Sequence, residues 1–356
     1  MVIGVGIIIV CALLGCLKCR SRVVGALIIL SLWILMSLNT VNADYVPYEY
    51  MYSLHLENAS GINFGYLFLE QIAWSLNLDF TQFRMLYGAC GLILIASFVW
   101  RYSSKPNVVL AGYALLPFLY DVVQFKFFLS ASICIFAFRF LIDKPKLYVL
   151  KYLFCIGVAS SIHTGALMFV VFLLGVLSYE RAKMLSFISG ILVFFLSYSG
   201  IASVLAGAFM DSSKQEIYLT NMGRFGWIPY FVSVVGAILI CGFSSPERLG
   251  YSLSKRSRNE SRFIIYFENA KFALLPLAAI LPISVQSLYR PIRSANLLVI
   301  LFLVSVLLIN GECTRRSEKT MLTIFAVAWF VFTQVLIYGG VLNSVVIAEL
   351  SNNLLW

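Results

Sequence analysis

The sequence predicts an all-α fold: a polytopic integral membrane bundle of about 12 transmembrane helices, a single transmembrane domain over residues 1–356, with one amphipathic or re-entrant segment on its outer face. Three observations predict it. First, 61% of the chain is hydrophobic and 12% charged, with a mean hydropathy of +0.92, so sixteen acidic and 26 basic residues cannot coat a core of this size in water. A water-soluble enzyme is excluded. Second, apolar runs recur along the whole chain at lengths close to a hydrocarbon core of about 30 Å, where a helix satisfies its own backbone. Third, the basic residues fall in short clusters between those runs, which reads the net charge of +10 as membrane topology and excludes a nucleic-acid partner.

Taken in order, the runs are Val2 to Leu17, Val23 to Leu38, Met85 to Trp100, Val108 to Val122, Phe127 to Ile142 and Leu147 to Ile162. Thr164 to Tyr179, Met184 to Met210, Trp227 to Phe243, Phe272 to Leu288, Leu297 to Asn310 and Met321 to Val341 complete them. The first lacks a positive leader and is followed by Lys18, Arg20 and Arg22, the reverse of a cleavable signal, so it is expected to remain as a span entering from outside. With the loop after it inside, all but six of the 26 Lys and Arg fall inside; the exceptions are Arg84, Lys126, Lys214, Arg224, Arg290 and Arg293.

The run Ile62 to Leu78 carries Glu70, Gln71 and Asn77, and making it a span would move Arg101 and Lys105 outside, so it reads as the outer amphipathic or re-entrant segment. Leu147 to Tyr179 is 33 residues, about 50 Å as one helix and too long for one crossing, so the chain is expected to turn near His163. Outer segments are then Asn39 to Phe83 and Asp211 to Gly226. The inner loop Ser244 to Arg262 has five basic residues and suits anionic headgroups.

Eight cysteines lie in or near apolar stretches and imply no disulfide framework; Cys16 and Cys19 have no second pair to make a metal site. No phosphate-cradling GxxxxGK, HExxH, GxSxG or dinucleotide fingerprint occurs, and no metal or cofactor is expected.

The outer cations are the informative minority, because a charge at membrane depth costs several kcal/mol unless paired or wetted. Arg290-Pro291-Ile292-Arg293 puts two guanidinium groups in a short link between spans, suited to bidentate phosphate contacts or, equally, to anchoring a turn on headgroups. Lys126 follows Asp121, so an ion pair closing a hairpin stands beside a ligand role. Arg84 and Arg224 each sit where an outer segment meets a span, either as anchors or as phosphate ligands. His55 and His163 both map outside. His163 can be a general base, a phosphate partner or a capped turn residue. Asn42-Ala43-Asp44-Tyr45 with Tyr48 and Glu49 offers hydroxyls, rings and carboxylates that suit sugars and equally suit an interfacial aromatic belt.

The order of these features resembles the EpsG-like family of bacterial exopolysaccharide and O-antigen polymerases, the Wzy type. The residues that carry the resemblance are Asn42 to Tyr52, then Phe64-Gly65-Tyr66-Leu67, then Lys126 before Phe127 to Ile142, then Ala159 to His163, with an echo at Leu288-Tyr289-Arg290. At the basic position the family's pattern has arginine where this chain has Lys126, a point charge without the bidentate fork. The resemblance implies a metal-independent glycosyltransferase in the bacterial cytoplasmic (inner) membrane, acting on its outer face. A glycan on polyprenyl pyrophosphate passes to a hydroxyl of the next lipid-linked oligosaccharide repeat unit. Arg290, Arg293, Arg224, Lys126 and Arg84 would then hold pyrophosphate, His163 or Asp44 would move the proton, and Tyr45, Tyr48 and Glu49 would meet sugar. Membrane lipid is a partner, and a regulator of chain length is a further one such a reaction admits. The rivals are a lipid-linked oligosaccharide flippase or transporter, which would show midplane charges and a repeated half, a membrane acyltransferase, and an O-antigen ligase.

Overall fold

The computed structural model describes residues 2–40, 42, 44–55, 63–199, 225–250, 252–253, 256–308, 316–339 and 348–355. Among them the chain is helical, and its extended pairing is a single bridge between Asn39 and Asn353. The helices are α1 Val2–Leu17, α2 Arg22–Ser37, α3 Tyr45–Ser53, α4 Phe64–Ser75, α5 Phe80–Tyr102, α6 Pro106–Leu115, α7 Phe118–Val123, α8 Phe125–Asp143 and α9 Tyr148–Ile162. A 3₁₀ segment, Thr164–Val176, precedes α10 Tyr179–Tyr198. Then come α11 Ile228–Phe243, α12 Arg258–Ala270, α13 Leu274–Ala279, α14 Val285–Leu307, α15 Arg316–Tyr338 and α16 Ala348–Ser351. Arg224 and residues 211–224 of the second outer segment lie outside the described residues.

Five of these helices are long and apolar enough to cross a membrane: α5, α8, α10, α14 and α15. Six shorter apolar stretches accompany them, in α1, α2, α6, α9, the 3₁₀ segment and α11. The 33-residue apolar stretch is broken at His163, where α9 ends in extended backbone. Its second part, wound as 3₁₀ at about 2 Å per residue, reaches nearly as far in 13 residues as an α-helix does in 17.

Two expectations need correction. The run Val108 to Val122 is two helices, because Pro117 has no N–H to continue α6 and the backbone breaks between Leu116 and Phe118. Arg290-Pro291-Ile292-Arg293 is no link between spans: it lies inside α14, with Pro291 in its second turn. The break falls earlier, at Ile280 to Ser284 around Pro282, and the helix restarts at Val285.

The chain divides into two compact units, Met1–Leu167 with Ile337–Trp356, and Met168–Leu336. In the first, α2 and α8 pack on α5, α9 on α8, α4 on α9, and α6 on α1 and α2. Fully buried Asn107 binds the α1–α2 turn to α6, its amide donating to Lys18 O at 2.6 Å and Ser21 O at 2.9 Å. At the opposite end of α2, Asn353 Nδ2 donates to Ile34 O at 3.1 Å and Leu354 N to Leu38 O at 2.9 Å, which closes the first unit with the C-terminal residues.

The second unit builds on α14, whose apolar window is 94% buried, with α11, α12 and α13 against it. Its α10 and α15 are only 22% buried over their apolar windows and turn Phe187, Ile191, Phe195, Ile324, Val331 and Val335 outward. Stripes of that size are stable against lipid and would aggregate in water.

Candidate functional site

The first unit gathers its chemistry at one end, where α3, α4 and the starts of α5 and α8 meet the close of α9. Helix α4 is about 18 Å long, too short to cross, and it is two-faced. Phe64, Phe68, Ile72 and Leu76, spaced one turn apart, are exposed, whereas Tyr66, Glu70 and Ala73 are buried. Gly65 makes this seating possible, since a Cβ there would collide with Ser161 of α9.

Glu70 is therefore a carboxyl held 5% exposed inside the protein. Burial lifts it to about 7, against the pull of Lys126 and the Tyr66 hydroxyl. Lys126, also 5% exposed, lies in the first turn of α8 with Nζ 4.2 Å from the centre of the Tyr66 ring. A cation at the positive end of a helix dipole is unfavourable by itself. The ring and the carboxyl beside it offset that cost. Tyr87 fixes the backbone here, its hydroxyl donating to Lys126 O at 3.0 Å.

Next along α8, Phe127 packs edge-on against His163 at 5.1 Å. His163 caps α9 in extended conformation, and Ser130 Oγ donates to Ala159 O at 2.9 Å to hold that turn on α8. The Gly165 N–H donates to His163 Nδ1 at 3.1 Å. That bond makes Nδ1 an acceptor and puts the proton of the neutral ring on Nε2, so in this arrangement the imidazole is a donor rather than a base.

Arg84 is buried deeper than a headgroup anchor would be, at 2% exposure. Its guanidinium donates to Met36 O at 2.7 Å and to Asn39 O, and lies 4.9 Å from the Tyr45 ring centre, so it caps the last turn of α2. Tyr45 is buried with its hydroxyl donating to Glu49 Oε1 at 3.2 Å, whereas Glu49 is exposed and Tyr48 half-buried, 6.3 Å from Tyr66. Asp44 precedes α3, its N–H donating to Asn42 Oδ1 at 3.1 Å. Asp121, the expected hairpin partner of Lys126, accepts from Tyr113 at 2.8 Å.

In the second unit Arg293 is 3% exposed and Arg290 half-buried, on adjoining faces of α14. Tyr289, Arg293 and Asn296 form one inward row at helical spacing, with Tyr230 of α11 edge-on to Tyr289 at 4.8 Å. Trp329 Nε1 donates to Ser233 O at 2.8 Å and Ser233 shares a 2.8 Å bond with Thr333, which ties α15 to α11.

Glu70, Tyr66 and Tyr87 are the site residues the sequence reading passed over. The signal was present: Glu70 is one turn after Tyr66 and opposite an apolar stripe, the pattern of a carboxyl turned toward protein.

Helices that show lipid-sized apolar stripes outward and keep lysine, arginine and glutamate inward belong to the class of integral membrane proteins with buried polar sites. A model of the EpsG family matches residues 22–344, nearly the whole chain, and the chain belongs to that family. That membership places it in polysaccharide synthesis at a membrane. No curated protein and no solved structure matches it.

Proposed function

We propose that this protein is a polysaccharide polymerase of about 12 spans in the bacterial cytoplasmic membrane, joining polyprenyl-pyrophosphate-linked oligosaccharide repeat units on its outer face. The observation that carries the reading is the family match together with a lysine buried over the Tyr66 ring at the start of α8, in the unit that also holds the end of α9 at His163. Transfer from a lipid pyrophosphate needs cations where negative charge grows on the leaving group, and a site shielded from water so that those cations count. Lys126, Arg290 and Arg293 are the proposed pyrophosphate ligands, with Arg224 a further one. Arg84 already donates to two backbone carbonyls and is proposed to support Tyr45 rather than to reach phosphate. His163 is proposed to donate Nε2–H to a substrate oxygen, and Asp44, Tyr48 and Glu49 to line the approach of sugar.

The test is a gene deletion complemented by variants. Single repeat units should accumulate without the protein, and Arg290→Ala or His163→Ala should fail to restore long chains at normal membrane levels. Full chain-length distributions from both variants would refute the site assignment. A deletion that stops single units reaching the outer face would favour the flippase instead.

A further inference from the structure

Glycosyl transfer to a hydroxyl needs a proton acceptor, and the imidazole of His163 has its acceptor nitrogen engaged by Gly165 N–H. Of the carboxyls at that end of the first unit, Asp44 is half-buried, Glu49 and Asp79 are exposed, and Glu70 is buried. Helix α4 turns Phe64 and Phe68 outward, as suits lipid, and holds Glu70 inward at 5% exposure. An ionisable group buried inside a membrane protein with a cation nearby is a candidate functional group.

The titratable and charged groups within electrostatic reach of Glu70 are Tyr66 on its own helix, Lys126 from α8, Tyr87 from α5 and Tyr52 from α3, with Tyr48 6.3 Å from Tyr66. Among them Lys126 is the charge that favours the carboxylate, and the tyrosines supply hydroxyls and sugar-stacking rings. Helix α9 meets α4 at Gly65, where Ser161 is the contact. This end of the first unit thus brings together a buried carboxyl, a buried cation and a cluster of rings.

We propose that Glu70 is the general base of the transfer reaction, accepting the proton of the attacking sugar hydroxyl while Lys126 favours its carboxylate form. The hydroxyl oxygen forms a bond to the anomeric carbon of the donor glycan, and the bond from that carbon to the pyrophosphate oxygen breaks, its electron pair leaving with polyprenyl pyrophosphate. The hydroxyl proton passes to the Glu70 carboxylate, which returns it to water before the next transfer. This rests on the polymerase reading and assigns a residue within it.

A base must be ionised to act, so lowering the pH through its titration range removes activity. For Glu70, raised by burial to about 7, the wild-type rate should climb from about pH 5 and level off above about 8. The full-length protein in detergent, supplied with lipid-linked repeat units from the deletion strain, allows single-turnover bond formation to be followed. Glu70→Gln, which keeps shape and hydrogen bonding, is expected to lower kcat by about 10²–10⁴ with KM little changed and to abolish the acid limb. Glu70→Ala should be equally slow, and added formate should restore part of its rate. A Glu70→Gln rate and pH profile matching wild type would overturn the inference. So would a slow Glu70→Ala that formate fails to rescue, the result for a purely structural carboxyl. Wild-type protein that binds these lipids and forms no glycosidic bond would sink the polymerase reading itself, a failure separate from the other two.

Discussion

Arg84 shows how a buried cation is read differently by sequence and by contact. In sequence it is one of six basic residues on the wrong side of a charge bias. In the fold it joins the end of α2 to the start of α5, donating to Met36 O in the last turn of α2 and to Asn39 O just beyond it. Lysine would keep the charge and lose the fork, so Arg84→Lys should leave one carbonyl unpaired and cost about 1–3 kcal/mol. Thermal unfolding of the purified protein in detergent checks this; an unchanged melting temperature would show the two bonds to be unimportant. His163 was legible as a turn residue because 33 apolar residues cannot cross once. Its tautomer was not, since that depends on Gly165 folding back two residues later. Glu70 was legible as a residue that spoils a span, yet its inward direction depends on Gly65 admitting α4 against Ser161.

At the scale of the element, α4 is the part on which the first unit's polar end depends. Packed on α9 through Gly65, it brings Tyr66 and Glu70 to Lys126 and leaves its apolar stripe outside. Overfilling that contact should lift the helix away. Gly65→Val is expected to lose chain elongation while lowering stability by only about 1–3 kcal/mol, with Gly65→Ala intermediate. Chain-length distributions and thermal melting, read together, separate the two effects. Long chains from Gly65→Val would mean that the seating of α4 is not needed. The same scale explains the two corrected boundaries. Proline ended α6 at Pro117 and interrupted the chain at Pro282, yet it was accommodated at Pro291, in the second turn of α14. Sequence shows where a proline is; neighbouring packing decides whether it breaks the helix or rides in it.

For the whole molecule, the polymerase proposal requires the residues given to pyrophosphate and to the His163 turn to face one side of the membrane. With native cysteines replaced by serine, His163→Cys and Arg290→Cys should both react with a membrane-impermeant thiol reagent in intact cells, whereas Lys105→Cys should react only after permeabilisation. Labelling that puts positions 163 and 290 on opposite sides would end the proposal. The lipid environment itself was settled by composition: side chains 61% hydrophobic have no other stable solvent, and helices follow because lipid offers the backbone no hydrogen bonds. Those are additive properties of a chain, readable without knowing which residues meet. Which cation is spent on a carbonyl, which carboxyl is turned inward and which histidine nitrogen keeps its proton are pairwise facts between residues far apart in sequence. Only the tertiary structure decided them, because burial and partner geometry, not residue type, set what a charged group does.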